Sequence, residues 1–419
     1  MSSVKSDAFE VIKIQDFRQF LLFRVFMTIS TQMISVIVGW QLYNLTHDPL
    51  DLGLIGLAEA IPQIGIALFA GHFADRFDRK KIIMIANLSF FVCASVLFLY
   101  SINFMSLHDL YGVTPIFVVV FIIGLVRGTI YPSVTAFWGQ VVPEKLYPQA
   151  STWNSGIWHT AAVTGPAIGG LVYGFAGVEM AYATAMGFAL LAFIMLLIVP
   201  SYPVFDRVTD EGLWKSLGEG IRFVFRKQVI IASMALDMFA VLFGGAVALL
   251  PVFAADILHT GPEGLGMLRA CPAFGAVIMS VWLAWHPPVK DSGLRMFAGV
   301  MGFGLCIIIF AVSQNFWLSA AILLLSGIFD NISVVIRSTI LQMFTPNEMR
   351  GRVASVNSIF LGSSNELGSF ESGAAAKIMG VVPSVIFGGC MTLGIVGFTA
   401  WKVPVLRNLN LSDNPNEKI

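Results

Sequence analysis

Ten ionisable side chains stand inside stretches that are otherwise apolar: Arg24, Glu59, Arg127, Asp237, Arg269, Asp330, Arg337, Glu366, Glu371 and Lys377. A charge inside an apolar helix in lipid costs at least ~2.5 kcal/mol on insertion scales, so it faces a partner or a water-filled cavity. Carboxyl groups in such places are candidate proton carriers, and arginines are candidate counter-charges. Glu366, Asp330 and Glu59 rank ahead of Asp237 and Glu371 as proton-coupling candidates. A second charged group is compact: Gly71-His72-Phe73-Ala74-Asp75-Arg76-Phe77-Asp78-Arg79-Lys80-Lys81 holds acids beside bases between two long apolar runs. An acid next to a helix terminus interacts with backbone N–H groups and the positive end of the dipole. This loop therefore reads as a mechanical part, a cytoplasmic latch, with the alternative that its positive charge only sets topology.

The elements that must hold these groups are helices in a bilayer. Hydrophobic residues make up 57% of the chain, charged residues 12%, and mean hydropathy is +0.80; a soluble domain is roughly a quarter charged. Apolar runs long enough to cross ~30 Å of hydrocarbon recur along the whole length. Twelve are predicted, at 20–45, 52–74, 82–103, 113–141, 151–176, 180–199, 229–256, 264–286, 294–313, 316–344, 352–378 and 382–404. The fold class is an all-α membrane protein. Met1 to Arg18 is polar and mildly basic, and no cleavable signal peptide is expected. Net charge is zero, and no nucleic-acid partner is expected.

Twenty of the 25 Lys and Arg fall before the first span, after the even-numbered spans or in the tail, and the remaining five lie within spans. By the positive-inside rule both termini are cytoplasmic. The longest connection, 200–228, divides the chain into an N-terminal half, 1–199, and a C-terminal half, 229–419. Within it, Leu217, Ile221, Val224 and Phe225 at helical spacing beside Lys215, Glu219, Arg222, Arg226 and Lys227 predict an amphipathic surface helix. A linker role is its plain reading, a regulatory role the alternative. Cys93, Cys271, Cys306 and Cys390 lie far apart in apolar runs and are expected as small buried residues.

The halves repeat. At an offset of 210, Gly56, Ala60, Pro62 and Gly65 fall on Gly266, Ala270, Pro272 and Gly275; at 203, Pro143, Asn154 and Ser155 fall on Pro346, Asn357 and Ser358. The same slides place Glu59 over Arg269 and Arg127 over Asp330. Two readings stand: opposite charges that meet across or beside a central cavity, or local ion pairs within one half. Repeats of this kind place a substrate site where the halves meet, near mid-membrane.

On the twelve spans, the repeats and the 71–81 loop, the chain resembles a major facilitator superfamily transporter over essentially its full length. Gly71, Ala74, Asp75, Arg76, Arg79 and Lys80 match the superfamily's signature between helices 2 and 3; Phe73 and Asp78 depart from it, and Asp78 removes a turn glycine. Thr345-Pro-Asn-Glu-Met-Arg-Gly-Arg352 and Ser364-Asn-Glu-Leu-Gly-Ser-Phe-Glu-Ser-Gly373 are similar to the drug–proton antiporter branch that contains macrolide and enterobactin exporters. The resemblance implies that the loop packs near the start of helix 11, with Arg350 and Arg352 as partners of Asp75. Trp285 to Lys290, its repeat equivalent, lacks the acid, so the latch is expected on one side only. Gly165-Pro166-Ala167-Ile168-Gly169-Gly170 resembles the antiporter motif of helix 5, with Ala161 in place of its first glycine. Arg127 stands in helix 4, where such antiporters carry a basic residue, without the rest of that signature.

Arg24, Arg127, Arg269, Arg337, Tyr131, Trp158 and His159 complete the candidate cavity residues, with packing or lipid contact as the alternative for the aromatics and a satisfied core position for His159. No nucleotide-binding loop and no metal-ligand spacing is present in the sequence, so no cofactor is expected and energy comes from a gradient. The reading is a secondary transporter of the inner membrane that exports an amphipathic small molecule, drug-like or a siderophore, in exchange for protons. Sodium stands as an alternative ion, and a monomer is expected. A lipid-like substrate, import or facilitated passage, and a membrane receptor without a transport cycle are the competing readings. No nucleophile–base arrangement suggests an enzyme.

Overall fold

The computed structural model describes residues 10–202, 213–346 and 349–411; within these, the side chains of 67–76, Tyr131, Glu144, Pro148, 213–217 and Ser363 lie outside the description. Its long helices are α1 Gln15–Thr46, α2 Pro49–Arg76, α3 Arg79–Ser101, α4 Thr114–Val141, α5 Tyr147–Ile198, α6 Leu213–Arg226, α7 Gln228–Phe243, α8 Pro262–Trp285, α9 Ser292–Val312, α10 Phe316–Met343, α11 Arg350–Met379 and α12 Val381–Lys402. Helix is the form these apolar runs take because a bilayer offers no hydrogen bonds to an open backbone.

Among the described residues ten helical segments are long and apolar enough to cross a membrane. One of them, in α5, has the length of two spans and turns at Gly177, whose φ of 89° is open to glycine at little cost. α11 has the length of a span but carries Arg350, Arg352, Glu366, Glu371 and Lys377, so it is too polar to stand among those ten. Counting α5 twice and adding α11 to these ten yields the twelve predicted spans; α6, with 14 residues, is not one of them. Eight of the observed helices, α2, α3, α4 and α8 to α12, have both ends within three residues of the predicted limits.

The departures have local causes. Asp78 caps α3: its carboxylate accepts from the backbone N–H of Lys80 at 2.9 Å and of Lys81 at 3.4 Å. A capping acid thus replaces the glycine that the signature leads one to expect there. The seventh span is discontinuous. α7 stops at Phe243, and the chain passes through Gly244 and Gly245 into a tight 3-10 turn and a wider π-type segment that ends at Ile257. A Cβ on Gly245 would meet Ser372 Oγ at 2.6 Å and the Gly368 carbonyl at 3.0 Å. Close approach to α11 therefore requires glycine at this break.

The chain forms two compact units, 1–45 with 61–208 and 46–60 with 209–419. In the first, α3 packs against α4 and α5. Buried hydrogen bonds tie its spans: Tyr182 donates to Gln41 at 2.6 Å and Ser30 donates to the Ala185 carbonyl at 2.7 Å. In the second, α10 lies between α8 and α9, and α7 packs on α11 and α12. The first three turns of α2 belong to this second unit. They lie on α11 in backbone contact: a Cβ on Gly373 would stand 2.8 Å from both Cα and N of Gly53.

Candidate functional site

The second unit contains one fully buried ion pair among the described residues. Asp237, in the middle of α7, accepts from Arg337 Nη1 of α10 at 2.7 Å, and neither side chain is more than 5% exposed. Ser333, one turn before Arg337, donates to the other carboxylate oxygen at 3.2 Å. Asp330 precedes Ser333 by three residues and so shares that face of α10; it acts electrostatically on both Asp237 and Arg337. The Nε of Arg337 is buried with no hydrogen-bond partner among the described residues. Arg337 therefore has one direct carboxylate partner, Asp237, and a second acid, Asp330, two turns before it on the same face of α10. With both acids ionised the cluster carries one surplus negative charge, and uptake of one proton makes it neutral.

A second group of acids follows the α2–α11 crossing. A Cβ on Gly56 would lie 2.8 Å from Ser369 Cβ and 3.5 Å from Glu366 Oε2. Glu59 is one turn further along α2, on the same face by helical spacing. The two helices run in opposite directions, so the crossing places Glu59 and Glu366 at neighbouring levels of the seam. Both are half-buried and both have interaction partners. Glu371, also half-buried, follows Glu366 by five residues on α11.

This crossing ends in an ion pair that sequence reading missed. Lys377 of α11 pairs with Asp48, which also accepts from the backbone N–H of Leu50 at 3.0 Å to start α2. The Lys377 side chain is 53% exposed, which corrects its expected place among the buried charges. The hydrogen bond from Lys377, helped by Leu50, holds the Asp48 carboxyl below its ordinary range. The signal lay in Asp48 itself, an acid immediately before a proline-led helix.

In the first unit Arg24 donates to Asn154 at 3.2 Å, joining α1 to α5. Arg127 of α4 and Arg269 of α8 are half-buried and partnered. His159 is half-buried with its ring against Trp158, centroids 5.1 Å apart, and Trp158 is 48% exposed. Gly165 and Gly169 face α1, where Cβ atoms would meet Gln32 at 2.6 Å and Met33 Cα at 3.2 Å. Pro166 and Gly170 are buried beside them. The helix-5 motif is thus a close-packing surface between the first and fifth spans. Of the cysteines, Cys93 and Cys306 are buried as expected, whereas Cys271 is half-buried and Cys390 is exposed, a correction for those two. A thiol on the outer face of a span is as apolar to lipid as to a core, so hydropathy does not separate the two places.

The latch residues divide. Gly71, Asp75 and Arg76 lie outside the described side chains, as does Tyr131. Arg79 donates to the Ala136 carbonyl of α4 at 3.3 Å, and Lys80 donates to the Leu197 carbonyl at the end of α5 at 3.1 Å. Lys80 thus closes off a helix C-terminus, where carbonyls lack partners, whereas Ala136 lies five residues before the end of α4. Arg350 is exposed and donates to the Gln342 carbonyl at 3.3 Å. Arg352 forms an ion pair with Glu219 of α6, a partner the sequence did not suggest.

Comparison with known proteins agrees with this architecture. A family described as transmembrane secretion effector matches residues 6–418. The enterobactin exporter EntS of Shigella dysenteriae serotype 1 (strain Sd197) is 26% identical over 343 residues, 80% of this chain and 79% of the relative. The enterobactin exporter EntS of Escherichia coli O1:K1 / APEC matches with the same identity and coverage. Among solved structures, a D-xylose–proton symporter superposes with a TM-score of 0.72 at 16% identity, covering 96% of this chain and 100% of that one. A bacterial homologue of the human lysosomal transporter Spinster, inward-facing and unoccupied, superposes at 0.69 with 13% identity over 94% and 95% of the two chains. The structural likenesses are of fold.

Proposed function

Because the chain belongs to the transmembrane secretion effector family of the major facilitator superfamily, we propose that it exports an amphipathic small molecule in exchange for protons, by alternating access across the inner membrane. The observation that carries the proton reading is the cluster of Asp237, Asp330 and Arg337, with one acid more than it has bases. A surplus charge in a low-dielectric span is costly, and one bound proton removes it. Arg337 then has one ionised partner in place of two competing ones. Binding and release of that proton changes how firmly Arg337 of α10 is held to Asp237 of α7, which is the coupling a transport cycle needs. Glu59 and Glu366, at the α2–α11 seam, form a second place where protonation alters helix contact. The 71–81 loop is read as a cytoplasmic latch of the same cycle, with both termini cytoplasmic. The substrate class follows the relatives, whose names describe export of enterobactin: a catechol siderophore or a drug-like amphipath.

Proteoliposomes with a pH-sensitive dye inside, given a panel of catecholate siderophores, macrolides, amphipathic cations and lysolipids, test this. Proton flux that depends on one compound class, and that falls at least about tenfold in Asp330→Asn, is the expected result. Movement of a labelled compound with no proton flux would make the protein a facilitator or a sodium-coupled carrier and the buried acids structural.

A further inference from the structure

The linker helix α6 presents three faces of different chemistry. One face is seated on the protein: Val224 is fully buried in the core of the second unit, Phe223 packs against that core, and a Cβ on Gly220 would stand 3.0 Å from the Arg352 carbonyl. A second face carries Ile221, 41% exposed, and Phe225, 62% exposed, four residues apart. The third carries Arg222 and Arg226, also four apart and both exposed. Four residues are about one turn, so each pair forms a short stripe along the helix. α6 ends at Arg226 and the seventh span begins at Gln228. Its last turn therefore sits at the level where hydrocarbon gives way to water.

We propose that α6 is a binding surface for anionic phospholipid headgroups: Ile221 and Phe225 enter the acyl boundary while Arg222 and Arg226 take lipid phosphates. Apolar side chains beside a basic stripe, at the mouth of a span, are the arrangement that lies in a charged interface. The charge complementarity names the occupant, since each Lys or Arg near an anionic leaflet adds attraction that neutral lipid does not supply. Arg222 and Arg226 are not consumed by the protein contact of α6; that contact uses Glu219, which is paired with Arg352 in the first turn of α11. One helix thus joins the leaflet surface to α11. The charge of the leaflet biases how firmly α6 is held, and Glu219–Arg352 with the Gly220 contact carries that bias to the start of α11. This inference needs no assumption about substrate or coupling ion.

Hydrogen–deuterium exchange of the whole protein in nanodiscs tests it without a transport assay. Exchange across 218–226 is compared in phosphatidylcholine alone and with roughly a quarter phosphatidylglycerol. The expected result is about tenfold slower exchange with the anionic lipid, removed by Arg222→Gln with Arg226→Gln. The same lipid change slows exchange across 350–356, and Glu219→Gln abolishes that effect while leaving the one at α6. Equal exchange of the native protein in both bilayers would overturn the proposal and leave the apolar stripe to neutral lipid; this comparison stands even if a variant fails to fold. A lipid effect that persists in the double arginine variant would also overturn it. Slowing at α6 without slowing at 350–356 would overturn the coupling to α11.

Discussion

Arg337 is the residue on which the buried charges turn. Removing one partner of a buried ion pair leaves an uncompensated charge and costs about 3–5 kcal/mol. The cluster is not symmetric, however, because Asp237 pairs directly with Arg337 while Asp330 stands on the same face of α10 as a second acid. Asp237→Asn leaves Arg337 with Asp330 as a remaining counter-charge. Arg337→Met leaves two acids facing each other with none. Arg337→Met should therefore cost about 3–5 kcal/mol in unfolding free energy, and Asp237→Asn distinctly less. Asp330→Asn removes the surplus acid and should cost least of the three while still abolishing proton coupling. Denaturant unfolding in detergent beside proton flux in vesicles separates these outcomes; equal losses for all three would show that Asp330 does not share Arg337. The sequence made each of these residues visible as a charge in oil. It did not pair them, because 100 residues separate Asp237 from Arg337 and the repeat alignment pointed Asp330 toward Arg127. Ser333, which completes the carboxylate's hydrogen bonds, carries no hydropathy signal and was missed.

At the scale of elements, the crossing of α2 and α11 rests on the absence of side chains. The imagined Cβ on Gly373 meets backbone atoms of Gly53, and backbone cannot rotate aside. Gly373→Leu should cost about 1–3 kcal/mol by overpacking. Gly362, on the same helix with nothing within 4 Å of its imagined Cβ, is the control. Gly362→Ala should be neutral or stabilising by up to about 1 kcal/mol, since alanine loses less backbone entropy in a helix. Thermal unfolding of the two variants checks this, and a similar loss in both would mean that the crossing contributes nothing. The Asp48–Lys377 pair beside it has a defined pH signature. The Asp48 carboxyl is held below its ordinary value of 3.8, so its contribution is complete above that value and disappears as pH falls through the lowered one. The pair is partly exposed and screened, worth at most about 1 kcal/mol. Lys377→Met should lower stability by that small amount at neutral pH, and the gap should persist down to the ordinary carboxylate range and close only below it. Helix ends were legible from length and hydropathy. The break at Gly244 and Gly245 was not, because two small apolar residues do not interrupt an apolar run.

At the scale of the molecule, hydropathy and charge asymmetry carried the architecture, because lipid permits few alternatives to spanning helices. Twelve spans return the chain to the side on which it began. The connections after odd-numbered spans contain His47, Asp48, Asp51, His108, Asp109, Glu179, His259 and Glu263 and no Lys or Arg. Bases near span ends hold the cytoplasmic side, while acids contribute little to orientation. The proposed orientation puts Asp109, between α3 and α4, outside, and Arg407, beyond α12, inside. A membrane-impermeant maleimide should label Asp109→Cys in intact cells and Arg407→Cys only after permeabilisation, in a background with Cys390 replaced because that thiol is exposed. The reverse pattern would invert the orientation. It would also put α6 and its arginines on the outer leaflet and convert the proposed exporter into a protein whose 71–81 loop faces the periplasm. Labelling of both sites in intact cells would mean an even number of crossings between them, and one of the spans assigned to α5 or to α11 would have to lie out of the bilayer. α11 is the more exposed to that outcome. It carries five charged residues, of which Lys377 pairs with Asp48 and Arg352 with Glu219, both near its ends, so a charge such as Glu366 or Glu371 must be accommodated along its length.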